Sequence, residues 1–186
     1  MPTLSPGSLI FASRFIEPIR GRFVCYTPPG KKGLWVHRCI GIAGDVVEIK
    51  NGQVYVNGAL LKEPYVWNEY YINPQQKNAI AAYIKKFNYP LNPFADSTET
   101  IAFSETDLKN YHLSLERVIA RKGWSDSTLF KDFALQGFNT DNFGPVKVPP
   151  NRYFLMGDYR HNAMDSRYLG FIKQTDIIST VANSGE

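Results

Sequence analysis

Gly157-Asp158-Tyr159-Arg160-His161-Asn162-Ala163-Met164-Asp165-Ser166-Arg167-Tyr168-Leu169-Gly170 follows directly on a short apolar run, Tyr153-Phe154-Leu155-Met156. A run of that length and composition reads as a strand. The charged, glycine-bounded segment behind it reads as a tight loop that the strand holds in place. Gly157 and Gly170 supply backbone freedom that side-chain-bearing residues lack. Asp165 and Arg167 alternate like two groups aimed at the same side of an extended segment. Taken alone, such a loop is either a site on a scaffold or a salt-bridged surface turn.

Working outward, the next clear signal is Val46-Val47-Glu48-Ile49-Lys50, Asn51-Gly52, Gln53-Val54-Tyr55-Val56. Asn-Gly supplies the two positive φ angles of a type I′ turn, so the flanking β-prone runs form a hairpin. Leu9-Ile10-Phe11-Ala12-Ser13, Arg22-Phe23-Val24-Cys25-Tyr26 and Leu34-Trp35-Val36-His37-Arg38 read as further strands, punctuated by Pro18, Gly21 and Pro28-Pro29-Gly30. From 61 to 140 the texture changes. Helix-like stretches fall near 78–86 and 106–119, the second after Ser104 with Asp107 three residues on, as in a capping box. Phe138-Asn139-Thr140-Asp141-Asn142-Phe143-Gly144-Pro145 closes this insert as a turn. The expectation is a mostly β fold, an antiparallel core of residues 1–60 and 141–186 with an α/β insert at 61–140.

With 186 residues, 44% of them hydrophobic and 14% aromatic, the chain has ample material for a core. A net charge of +4 from scattered basic residues mildly favours anionic surfaces but does not describe a nucleic-acid binder. Cys25 and Cys39 lie in apolar strand-like runs and read as buried thiols, with no metal site and no cofactor motif. No stretch reaches the roughly 18 apolar residues that span a bilayer, so the chain as written reads as soluble.

The 157–170 segment resembles the Gly-Asp-Asn-Arg…Asn-Ser-x-Asp-Ser-Arg-x-x-Gly box of the type I signal peptidases. Two further boxes of that family are similar, and in order. Met1-Pro2-Thr3-Leu4 resembles the end of the Ser-Met-x-Pro-Thr-Leu box, and the run from Val36 through His37-Arg38, Gly41 and Gly44-Asp45 resembles the Lys-Arg-x-x-Gly-x-x-Gly-Asp box. The resemblance implies a coiled antiparallel β core and a serine endopeptidase that removes signal peptides from exported preproteins. It also implies membrane association, through an anchor upstream of Met1, with the catalytic domain on the outer face of the bacterial cytoplasmic membrane.

Residue by residue, the likeness has departures. The family's nucleophilic serine precedes the residue matched by Met1, so the chain as written is expected to be inactive. Where bacterial members carry a lysine base, this chain has His37, whose ordinary pKa near 6.5 suits a base without strong desolvation. Ala163 stands where the family usually has a serine that orients the lysine. Asp165 and Arg167 match the supporting pair. With a histidine base Asp165 either accepts from the imidazole as a triad carboxylate does, or pairs with Arg167 and pins the loop. Pro2, Leu4, Trp35 and Val36 match or flank positions that shape substrate pockets. Ser5 and Ser8 lie near the absent nucleophile but follow the box. His112 and His161 read as solvated, and Asp45 as a turn cap. The competing reading is a peptidase-like protein that holds an extended peptide by strand addition beside residues 34–37 without cutting it. A self-cleaving repressor-type domain fits less well, because no DNA-binding segment precedes the core.

Overall fold

The structure, a computed structural model, describes residues 4, 7–87, 92–93 and 99–182. Met1, Pro2 and Ser5 lie outside the described residues. The strands are β1 (Ala12–Ser13), β2 (Phe23–Tyr26), β3 (Trp35–Gly41), β4 (Val46–Lys50), β5 (Gln53–Val56), β6 (Ala59–Leu60), β7 (Trp67–Ile72), β8 (Asn92–Pro93), β9 (Glu99–Ser104), β10 (Phe143–Lys147), β11 (Arg152–Met156), β12 (Ile172–Lys173) and β13 (Ile177–Val181). The helices are short: α1 (Lys77–Phe87), α2 (Glu105–Asn110), α3 (Lys131–Ala134) and α4 (Ser166–Leu169). The fold is mostly β and its strand pairs are antiparallel.

Among the described residues three sheets form, in the orders β1-β13-β2-β3-β11-β12, β10-β4-β5-β6 and β7-β9-β8. The β4–β5 hairpin turns on Asn51 and Gly52 at φ of 49° and 72°, as the Asn-Gly signal requires. A second Asn-Gly pair, Asn57 and Gly58 at 53° and 79°, turns β5 into β6 in the same way.

β11 is buried along both faces. Phe154 and Met156 join a core cluster with Ile40, Val47, Ile49 and Phe143, while Tyr153 and Leu155 join another with Val24, Tyr26, Cys39 and Ile172. A strand covered on both sides reads as a continuous apolar run, which is what Tyr153-Phe154-Leu155-Met156 is. It pairs with β3 from Gly41 to Arg38, so its last residue delivers the 157–170 loop beside the middle of β3.

The segment 61–140 carries the three-stranded sheet, where α1 packs Ile80 and Tyr83 against Tyr70, Ile72, Ile101 and Phe103. Leu129 and Phe133, also within those bounds, sit in the core cluster with Phe143 and Phe154.

Two strand and helix expectations are corrected. Of residues 9–13, the strand covers only Ala12–Ser13, opposite Val181 and Thr180, with the Phe11 carbonyl accepting from the Ala182 amide, and Leu9 and Phe11 are 84% and 75% exposed. The helix read at 106–119 stops at Asn110. Its capping box is present, with Ser104 Oγ accepting from the Asp107 amide at 3.0 Å and Asp107 accepting from the Ser104 amide at 3.2 Å. His112 then takes φ +51°, which no helix continues through. The chain beyond it runs along β7, with the Tyr71 amide donating to the Glu116 carbonyl and the Val118 amide to Glu69. Leu113 and Leu115, two apart, pack on the Tyr70 cluster, a strand-like spacing.

Both cysteines are buried and free, and burial pushes the Cys39 thiol up to about 12. No helix among the described residues is long and apolar enough to cross a membrane.

Candidate active site

His37 lies in β3 opposite Val24 of β2, and Tyr26 lies opposite Trp35. Val24 and Tyr26 share one face of β2, so Tyr26 is the diagonal neighbour of His37, within reach of a long side chain. Its hydroxyl lies 2.9 Å from His37 Nδ1. Trp35, two residues before His37 on the same face, meets the imidazole edge-on, with ring centroids 6.1 Å apart and planes at 86°. His37 is only 8% exposed.

On its other side His37 faces Gly157. A Cβ at Gly157 would lie 3.5 Å from His37 Cδ2, 3.6 Å from Nε2 and only 2.3 Å from the Ala163 Cβ. Position 157 therefore admits only glycine without displacement, and the Nε2 edge of the ring borders the loop at Gly157 and Ala163.

Asp165 caps the single turn of α4 and is fully buried. Its Oδ1 accepts from the Arg167 amide (3.1 Å) and Arg167 Nε (2.9 Å). Its Oδ2 accepts from the Gly157 amide (3.1 Å) and Arg167 Nη2 (2.8 Å). A carboxylate offers about four acceptor positions, so protein N–H groups occupy them all. Arg167 also donates to the carbonyls of Arg160 and Thr140, tying the loop to itself and to the turn before β10. Of the two roles open to Asp165, the hydrogen bonds are those of the pin. The partner of His37 Nδ1 is Tyr26.

The electrostatics follow from burial. Desolvation raises Asp165, but Arg167 outweighs it and holds the carboxyl below its usual range. Desolvation lowers His37, opposed by Asp165 and reinforced by Arg167. The Tyr26 phenol is pushed well up by burial and by the Asp165 charge, so it stays protonated at any ordinary pH.

A second buried ion pair braces the same frame. Arg38, beside His37, binds Asp158 through Nε (2.9 Å) and Nη2 (2.7 Å), with its guanidinium 4.1 Å from the ring centroids of Phe23 and of Tyr65. Both residues fall inside the motif-like boxes, but 120 positions separate them.

The expected substrate-contacting residues divide between two faces of β3. Val36 and Leu4 pack together against Phe23, Cys25 and Val181, while Trp35 sits on the His37 face. Ser8 is exposed. His112 is exposed as expected, but His161 is not a solvated residue. Its Nδ1 accepts from the Glu69 amide at 3.2 Å and its Nε2 lies 3.2 Å from both Asp141 oxygens. Those partners lie 92 and 20 residues away, beyond the reach of local sequence. Asp45 caps its turn, accepting from the Ile42 amide and from Asn57, and pairs with Arg20. Among the described residues no group of three or more potential ligands is placed to hold a metal ion.

The chain matches the family described as signal peptidase, peptidase S26, over residues 1–184. It is 30% identical over 184 residues to a signal peptidase I of Bacillus amyloliquefaciens, covering 96% of this chain and 66% of that protein. It is also 30% identical over 184 residues to signal peptidase I S of Bacillus subtilis, covering 96% and 67%. The chain thus spans about two thirds of the length of these relatives. A signal peptidase I crystal structure from Enterococcus faecalis is similar at a TM-score of 0.46 and 21% identity, over 90% of this chain and 98% of that one.

Proposed function

Because the chain belongs to the signal peptidase family, peptidase S26, we propose that it is the catalytic part of a serine endopeptidase that cleaves signal peptides from exported preproteins at the outer face of a membrane. His37 serves as general base for a serine hydroxyl lying ahead of the Met1–Leu4 box. The carrying observation is the setting of His37: a buried imidazole, held at Nδ1 by Tyr26, with its Nε2 edge on the Gly157–Ala163 loop.

In this reading Nε2 takes the serine proton as the hydroxyl attacks the scissile carbonyl, then returns it to the leaving amine. Burial lowers the imidazole pKa, which keeps it neutral and able to accept. Asp165 and Arg167 fix the loop that faces it. β11 ends its pairing with β3 at Met156 opposite Arg38, so residues 35–37 run past its end and offer an extended peptide a strand to align with. Leu4 and Val36 on one face and Trp35 on the other are the apolar contacts available to it. Residues 61–140 form an insert on the β core of 1–60 and 141–186.

The deciding experiment is cleavage of a signal-peptide substrate by a chain carrying Ser-Met ahead of Met1, compared with its His37→Ala variant. Cleavage at close to the parent rate in His37→Ala overturns the base assignment. Binding of the substrate with no cleavage by the serine-bearing chain favours a peptide-binding protein instead.

A further inference from the structure

We propose that Tyr26 is the positioning residue of the base: its phenol oxygen accepts from His37 Nδ1–H, the place a carboxylate holds in a serine–histidine–aspartate triad. The inference rests on His37 being the base and adds which group orients it. Three observations carry it. Tyr26 Oη lies 2.9 Å from Nδ1. The only buried carboxylate of the supporting pair, Asp165, already accepts four N–H groups. Tyr26 is fully buried in β2, and with Trp35 edge-on to the ring it packs the imidazole from two sides.

The proton account closes without a charged orienting group. An imidazole that accepts at Nε2 must carry its own proton on Nδ1, and that proton needs an acceptor in a buried site. The phenol oxygen supplies it. When Nε2 takes the serine proton, the imidazolium keeps Nδ1–H on Tyr26, and the phenol keeps its own hydrogen because burial holds it far from ionisation. When the leaving amine takes the proton from Nε2, the starting tautomer returns. Charged groups reach His37 from the loop after β11: Asp165 and Asp158 favour the cation, and Arg167 opposes it. Tyr26 faces it from β2.

The test reads both the hydrogen bond and its consequence. In the 186-residue chain, ¹⁵N shifts of His37 above its midpoint should report a proton on Nδ1; a proton on Nε2 overturns the proposal without any variant. Tyr26→Phe removes the hydroxyl and keeps the ring. Bonds to an ionised donor are about twice as strong as neutral ones, so this loss disfavours the imidazolium, and the His37 midpoint should move to lower pH. A midpoint that stays put or rises means that the phenol donates to neutral Nδ1 or does nothing. In the serine-bearing chain Tyr26→Phe should lower kcat about tenfold, the scale of one hydrogen bond, with KM little changed and the acid limb of the profile shifted the same way. Full activity and an unmoved profile in Tyr26→Phe, where His37→Ala loses about a hundredfold or more, overturn this inference alone. Activity near the parent value in His37→Ala overturns the base reading on which it stands.

Discussion

Two histidines in this protein have opposite partners. His161 has a carboxylate, Asp141, at 3.2 Å from Nε2, and a backbone amide at Nδ1. His37 has a neutral phenol at Nδ1 and the Gly157 loop beyond Nε2. The pair that looks like two thirds of a triad is a strut. It joins the 157–170 loop to β7 and to the turn before β10, with both ring nitrogens committed. The histidine proposed as the base is the one whose Nε2 has no hydrogen-bond partner among the described residues. A carboxylate beside an imidazole is therefore weak evidence of catalysis until every lone pair and every N–H has been assigned.

The sharpest way to break this contrast is a pair of substitutions in a chain carrying Ser-Met. His37→Ala should lower kcat/KM by about 10²–10⁴-fold, the usual worth of general base catalysis. His161→Ala should leave kcat/KM near the parent value below its own melting temperature while lowering that temperature. Reversal of the two results would show that the wrong histidine has been assigned.

Next in size are the carboxylates. Asp165→Asn leaves Arg167 buried without its counter-charge and should cost roughly 3–5 kcal/mol of stability in urea unfolding. Asp141→Asn also removes a buried acceptor, but the His161 facing it accepts the Glu69 amide at Nδ1 and meets Asp141 through Nε2 alone, so about 1–3 kcal/mol is expected. Equal losses would mean that the two sites are more alike than their partners suggest.

Gly157→Ala tests the gap in front of His37. The added Cβ meets Ala163 at 2.3 Å, and overpacking of this kind costs about 1–3 kcal/mol. An unchanged melting temperature would show that the loop is free to retreat.

The smallest effects are in pH. Burial places His37 below its ordinary value near 6.5, so the acid limb of kcat/KM should have its midpoint under that pH. The same shift carries a stability term. The folded chain binds fewer protons than the unfolded one between the two pKa values, so stability is fully present above about 6.5 and falls as pH drops toward the folded value. His37→Gln should flatten that part of the urea-midpoint profile, and a profile equally steep without His37 would assign the loss elsewhere.

The β4–β5 hairpin and the strand before the Gly157 loop were legible because their signals are local: Asn-Gly at the turn, and an unbroken apolar run where both faces are covered. Asp165 and Arg167 were legible as a pair, two residues apart, though not the saturation of the carboxylate. Tyr26 was not, since its meeting with His37 depends on the β2–β3 register, and any tyrosine in an apolar strand looks the same. The setting of His161 was hidden for a similar reason. The helix read at 106–119 failed where His112 reverses the backbone, which no propensity marks, although the Leu113 and Leu115 alternation was there to be read.

β11 is sheathed on both faces and hydrogen-bonded on both edges, and its last peptide passes straight into Gly157, whose amide is held by Asp165. In the language of hydrogen exchange, that amide has no shallow route to solvent. Releasing it requires unseating a buried ion pair at the end of a central strand, so it should exchange with the slowest amides of the core and not with those of loops. The frame around His37 and the middle of the sheet are then one cooperative unit. Partial unfolding that begins at the periphery, such as the exposed start at Leu9 and Phe11, would leave that frame intact.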